Sequence, residues 1–222
     1  MRWNFKRDII AMLVPVSAIV ITLFLYPSLP EKIPTHFNIE GIPDRYDSKF
    51  VYFFWYNVML SGIYLLMTFI PMIDPFWKKI KKRYNLFLIF RDIILFFMFF
   101  VFILSIKAMK SGRLDVGWMG IGLGLLFILI GNYLPKIPRN FFFGIRVPWT
   151  LASETVWKRT HIMGGWVFVL AGLLMMILSF SKITLFITVM ISTGIILIFS
   201  ILYPFFLYKK LEKQGEIKTP EL

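Results

Sequence analysis

Six long apolar runs constrain this chain more than any other feature: Ile9–Tyr26, Val51–Ile73, Leu86–Ile106, Val116–Leu134, Ile162–Phe180 and Ile183–Tyr203. A helix needs about 20 apolar residues to cross roughly 30 Å of bilayer hydrocarbon. Five of the six runs hold no Asp, Glu, Lys or Arg. The third carries Arg91 and Asp92 close to one end, where long side chains reach the headgroups. Backbone groups left unpaired in hydrocarbon are costly, so such runs fold as helices. The expected class is an all-α, multi-pass cell-membrane protein with six transmembrane helices. The first run follows Arg2, Lys6 and Arg7, but Tyr26-Pro27-Ser28-Leu29-Pro30 offers no small-x-small cleavage site. It reads as an uncleaved helix.

Composition narrows the function classes. The 58% hydrophobic content exceeds the roughly 45–50% of soluble domains. With no Cys, disulfides, thiolate catalysis and Cys-ligated metals are excluded, and two His (His36 and His161) argue against multi-His sites. No metal or cofactor is expected. The net charge of +13 is explained by its placement. Eighteen of the 25 Lys and Arg residues fall in the N-terminus, 78–91, 136–159 and the C-terminal tail, and seven in the alternate connections. The bias puts both termini in the cytoplasm. Attraction to lipid headgroups accounts for the charge, and direct nucleic-acid binding is not expected.

Two connections are long, rich in Pro, Gly and aromatic residues, and expected to be ordered: an outer loop, 27–50, and an inner loop, 135–161. Leu29-Pro30-Glu31-Lys32-Ile33-Pro34-Thr35-His36-Phe37 aligns with Leu134-Pro135-Lys136-Ile137-Pro138-Arg139-Asn140-Phe141 with one gap, and Gly41-Ile42 loosely with Gly144-Ile145. Each loop follows the first helix of a three-helix set, which is the pattern of a 3+3 inverted repeat. Chance likeness of Pro-rich helix ends is the competing account.

His36, Asn38, Asp44 and Lys49 are the candidate ligand-binding residues of the outer loop, with Gly41 suited to a positive-φ turn. A cap held over the bundle by Asp44 and Lys49 is the alternative. In the inner loop, Thr150 or Ser153 can cap a helix, and Glu154, Trp157 and His161 share one helical face. A short interfacial helix over 153–161 is expected, its polar groups forming either a site with Asn140 and Arg146 or a local structural network. Asn57 and Asn132 are the clearest polar residues within the runs. The lack of ionisable groups at depth counts against ion-coupled transport. Gly120 and Gly124 have the spacing of close helix packing.

These loops resemble the SdpI family of bacterial membrane proteins. The resemblance rests on Gly131-Asn132-Tyr133-Leu134-Pro135-Lys136, on the run from Asn140 through Arg146, Trp149 and Thr150 to Leu151, and on Glu154-x-x-Trp157-x-x-Thr160-His161. Val147 stands where relatives commonly carry Thr. Pro34-Thr35-His36-Phe37-Asn38, Gly41, Pro43-Asp44 and Lys49 are similar to the uncharacterised domain that often precedes the SdpI region. The resemblance implies two units: 1–73, a helix pair with the outer loop, and 74–222, four helices with the inner loop. It also implies a non-enzymatic role in immunity. Such a protein protects against a secreted toxic peptide outside and relays its presence to a cytoplasmic repressor by holding that repressor at the membrane. Two other readings compete: a small inverted-repeat transporter or exporter of a peptide or lipid, and an interfacial enzyme using His161 and Glu154.

Overall fold

The computed structural model describes residues 5–217, with the side chains of residues 5–7 and 182–185 outside that description. Of the residues in the charge count, Arg2, Lys218 and the side chains of Lys6, Arg7 and Lys182 lie outside the described residues. The helices are α1 (Phe5–Leu25), α2 (Lys49–Phe69), α3 (Trp77–Ile80), α4 (Tyr84–Ser111), α5 (Val116–Tyr133), α6 (Pro148–Ala152), α7 (Glu154–Ile177) and α8 (Lys182–Lys213). Six of them are long and apolar enough to cross a membrane, one for each apolar run. α3 and α6 are short pieces in the connections. Pro15 sits inside α1, which continues through it as one helix.

The mostly helical class holds, and the ordered loop over 27–50 adds strand structure to it. The first long loop is a two-stranded antiparallel hairpin, β1 (Lys32–Phe37) with β2 (Pro43–Ser48), in register Lys32↔Ser48 and Ile33↔Asp47. Asn38 closes its turn: Oδ1 accepts from the backbone N–H groups of Glu40 (2.9 Å) and Ile42 (3.0 Å). Gly41 takes φ +78°, the left-handed conformation its sequence context predicts. Its carbonyl accepts from Leu114 N at 2.8 Å, so the hairpin tip rests on the α4–α5 connection. At the opposite end of the bundle, residues 135–153 rest on the segment between α2 and α4, where Asp74 Oδ2 accepts from Phe141 N at 2.7 Å.

Two packing modes hold the helices. α1, α2 and α4 share a core of Val14, Ala18, Leu60, Tyr64, Leu95 and Phe102, into which Leu29 and Ile33 of the hairpin segment also pack. α5 and α7 meet backbone to backbone. A Cβ on Gly124 would lie 2.5 Å from the Gly172 carbonyl oxygen, and one on Gly131 would lie 2.6 Å from that of Gly165. Absent side chains let the helices approach, as small residues do in lipid. The seam runs through Gly124 and Gly131, seven residues apart, so Gly124 of the expected Gly120/Gly124 pair lies on it. Large apolar side chains such as Phe24, Trp166 and Phe206 point outward. An outward apolar surface is costly in water and suits lipid.

Candidate functional site

At the hairpin end, His36 Nδ1 lies 2.6 Å from Asp44 Oδ1 across the strands, both side chains exposed. Thr35 Oγ1 donates to Asp47 Oδ2 at 2.5 Å, and Arg45 stands 3.7 Å from the same oxygen. Lys49 lies apart from these groups. It is 7% exposed, and its ammonium donates to the carbonyls of Leu29 (2.9 Å) and Tyr26 (3.3 Å), pairs with Glu31 at 3.2 Å and sits over the Tyr26 ring. A cation is favoured there because carbonyls past a helix C-terminus lack intrahelical donors. Lys49 thus ties the end of α1 to the start of α2, while His36, Asp44 and Asp47 face outward.

The long-loop end is built around Asn140, which is fully buried. Its amide nitrogen donates to the carbonyls of Pro138 (2.8 Å) and Phe143 (3.0 Å), and Oδ1 accepts from Phe142 N (2.8 Å) and Phe143 N (2.7 Å). All of its close hydrogen-bonding capacity goes into shaping the loop. Thr150 is equally buried, donating to the Ile145 carbonyl and accepting from Val147 N, which folds the start of α6. Ser153 caps α7, accepting from Val156 N.

No separate interfacial helix forms over 153–161. Glu154 to His161 are the first two turns of the continuous α7, and the short helix lies before them at Pro148–Ala152. On that face Trp157 and His161 are buried and stacked, ring centroids 4.0 Å apart. Trp157 Nε1 donates to the Ile137 carbonyl at 2.9 Å. His161 Nε2 accepts from Ile145 N at 3.0 Å, and Nδ1 lies 2.7 Å from the Trp157 carbonyl. A carbonyl only accepts and a backbone N–H only donates, so the ring is the neutral tautomer with its proton on Nδ1. Gly144 faces it at φ +104°, where a Cβ would stand 2.3 Å from Nε2.

The remaining signature residues disperse. Glu154 is exposed, 3.5 Å from Lys79 Nζ, and among the described residues no hydrogen bond or ion pair joins it to His161. Arg146 is exposed and donates to the Phe141 carbonyl. Trp149 packs edge-on against Phe205 of α8. Asn132 donates to the Ile128 carbonyl one turn back. Of the two arrangements open in the sequence, the loop residues therefore form a local structural network, with Arg146, Trp149 and Glu154 around its outside.

The structure also contains a site that sequence reading misses. Arg91 does not reach toward headgroups: it is 1% exposed and pairs bidentately with Asp8 of α1, itself 2% exposed, at 3.0 and 3.2 Å. Its Nε and Nη2 donate to Asp92 at 2.9 and 2.8 Å, and Nη1 donates to Thr68 Oγ1 at 2.8 Å. Tyr84 donates to the Thr68 carbonyl. The cluster lies within helices long enough to span a membrane, so ionisable groups are present inside the bundle. A bidentate guanidinium–carboxylate pair is the geometry best suited to a buried ion pair.

Comparison with known proteins now separates these features. Residues 136–204 match the SdpI/YfhL protein family, and residues 13–60 match a domain of unknown function (DUF1648). Among curated proteins the chain is similar to the Immunity protein SdpI of Bacillus subtilis (strain 168), 26% identical over 208 residues, 93% of this chain and 98% of that protein. The SdpI/YfhL match covers the second long loop and the helices after it, where the resemblance was expected. No solved structure matches it.

The SdpI region covers the long loop, α6, α7 and most of α8, and thus Asn140, Thr150, Trp157 and His161. The DUF1648 region takes in most of α1, the whole hairpin and the first half of α2. Asp8, Thr68, Asp74, Tyr84, Arg91 and Asp92 lie outside both matches. No motif pointed to them. The available signal was charge: Arg91 and Asp92 within an apolar run, and Asp8 at the edge of another.

Proposed function

We propose that this protein is an integral-membrane immunity and sensor protein, which protects its cell against a secreted toxic peptide and relays that peptide's presence to a cytoplasmic repressor. The observation that carries the reading is the likeness to an immunity protein across nearly the full length of both chains. The hairpin faces outside and both termini face the cytoplasm, supported by the skew of Lys and Arg toward the other end. His36 and Asp44 contact the peptide, with Asn38 fixing the turn and Lys49 anchoring the hairpin from below. At the cytoplasmic end, Arg146, Trp149 and Glu154 present a partner surface shaped by Asn140, Thr150, Trp157 and His161. The unit 1–73 senses, the unit 74–222 signals, and no covalent chemistry is involved. Both nitrogens of His161 are engaged and Glu154 pairs with Lys79, which supports a non-enzymatic role.

The test is expression in a toxin-sensitive bacterium, with survival scored against a panel of secreted peptides. Protection against at least one peptide is expected, and no protection at full membrane expression overturns the reading. A second reading, a small inverted-repeat transporter or exporter of a peptide or lipid, is favoured by one observation: the buried Asp8–Arg91–Asp92 cluster. The matched settings of Ile33 and Ile137, both buried, and of Gly41 and Gly144, both at positive φ, support the repeat it needs. Peptide or lipid movement across reconstituted vesicles, lost in Arg91→Met, would decide for it.

A further inference from the structure

A cavity of about 470 Å³ opens at the long-loop end, walled by Phe90 of α4, Ile130 of α5, Phe168 of α7, Ser200 of α8 and Ile145 and Val147 of the long loop, with the exposed Arg146 at its rim. Small-ligand sites typically have about 300–1,000 Å³. Arg146 is the one charged residue among the described residues lining the chamber, and it differs from four ion-paired basic residues of the bundle. Lys79 has Glu154, Arg91 has Asp8 and Asp92, Arg159 has Glu216 at 3.9 Å and Lys209 has Glu212 at 2.9 Å. Among the described residues, Arg146 has no carboxylate within ion-pair distance, and its one hydrogen bond goes to the Phe141 carbonyl. An exposed guanidinium therefore stands at the mouth of an apolar chamber whose walls come from four membrane-spanning helices. Arg presents its donors as a planar fork that matches phosphate oxygens, and one carbonyl occupies only part of it.

We infer that this chamber binds one anionic phospholipid, an acyl chain lying between Ile130 and Phe168 and the headgroup phosphate on Arg146. Charge complementarity selects the occupant: the apolar walls take the chain, and the lone cation at the rim takes the phosphate. Basic pockets between membrane helices hold anionic headgroups in this way. The inference rests on the chamber and Arg146 and does not depend on the immunity reading.

The test is native mass spectrometry on the full chain, purified in detergent and titrated with phosphatidylglycerol, with phosphatidylcholine of the same chains, and with inorganic phosphate. Wild type is expected to hold one phosphatidylglycerol about tenfold more tightly than phosphatidylcholine, the scale of a hydrogen-bonded charge contact. Arg146→Gln should erase that preference and Arg146→Lys should keep most of it. Ser200→Trp, which fills the chamber with Arg146 untouched, should lower retention of both lipids. An Arg146→Gln protein that keeps the preference overturns the inference, as does Arg146→Lys losing it as fully as Gln. Unaltered lipid binding by Ser200→Trp, or displacement of the lipid by inorganic phosphate alone, overturns it equally.

Discussion

Replacing Arg91 with Met removes the charge and keeps most of the side-chain length. Left behind are the Asp8 carboxylate, 2% exposed, and the fully buried Thr68 hydroxyl, each bonded to the guanidinium in the native protein. Breaking a buried pair by deleting one partner costs about 3–5 kcal/mol, because the other charge stays buried without compensation. For a chain of this size roughly 2–4 °C of melting temperature follows each kcal/mol, giving a fall of about 6–20 °C. Asp8→Asn should cost less, about 1–3 kcal/mol, since Arg91 keeps its bonds to Asp92 and Thr68. The double variant should cost less than the two singles summed, by about 0.5–3 kcal/mol. Thermal unfolding of the full chain in detergent, followed by aromatic circular dichroism, reads all three. A melting temperature for Arg91→Met within about 2 °C of wild type would refute the reasoning, since a buried pair cannot be lost at that cost.

Gly124→Ala places a methyl 2.5 Å from the Gly172 carbonyl and should destabilise by about 1–3 kcal/mol, whereas Gly62→Ala meets nothing within 4 Å and should be neutral or stabilising; the two melting temperatures should move apart. Gly144→Ala combines φ +104° with a 2.3 Å approach to His161 Nε2, so it should loosen the loop, seen as faster amide exchange at Ile145. The chain has no Cys, so single cysteines map topology cleanly: one at Asp44 should react with an impermeant thiol reagent from outside and one at Glu154 should not, and the reverse pattern discards the orientation. Asp44→Ala should weaken peptide binding by up to about 1 kcal/mol, as exposed charges do, while Lys49→Ala should lower stability by more than that, because it removes an ammonium that three oxygens surround. Equal effects of both on binding alone would merge the anchoring and binding roles.

The six long helices were legible because lipid imposes a length and an apolar content that few other constraints imitate. The hairpin was not, although its turn was. β2 is exposed along nearly its whole length, so it carries no alternation of apolar and polar residues. Its pairing is set by the Asn38–Gly41 turn and by docking of Gly41 on Leu114, and the second of these is a contact across 73 residues. Trp157 and His161 were placed correctly on one face, yet spacing alone does not say whether that face turns inward. The decision lies with Gly144, whose missing side chain lets the loop close over the imidazole.

Arg91 shows where such reading stops. A charge near the end of an apolar run is assigned to the headgroups because snorkelling satisfies it at little cost. That assignment assumes no partner within reach, and the partner here is 83 residues away, at the edge of a different run. Asp8 was equally opaque, since a carboxylate just before the first apolar residue looks like a boundary marker. Each group alone is ordinary, and together they form a buried bidentate pair that joins α1 to α4. Apolar patterning fixes how many times the chain crosses a membrane. It carries no information on which end residues of separate helices meet, because pairing depends on helix rotation and neighbour choice, which packing and interfacial anchors set. In this bundle the rotation of α1 places Ala11, Val14 and Ala18 in the shared core. Asp8, three residues before Ala11, lies on that same face one turn earlier. The small-residue stripe that packs α1 is thus the feature that delivers its carboxylate to Arg91.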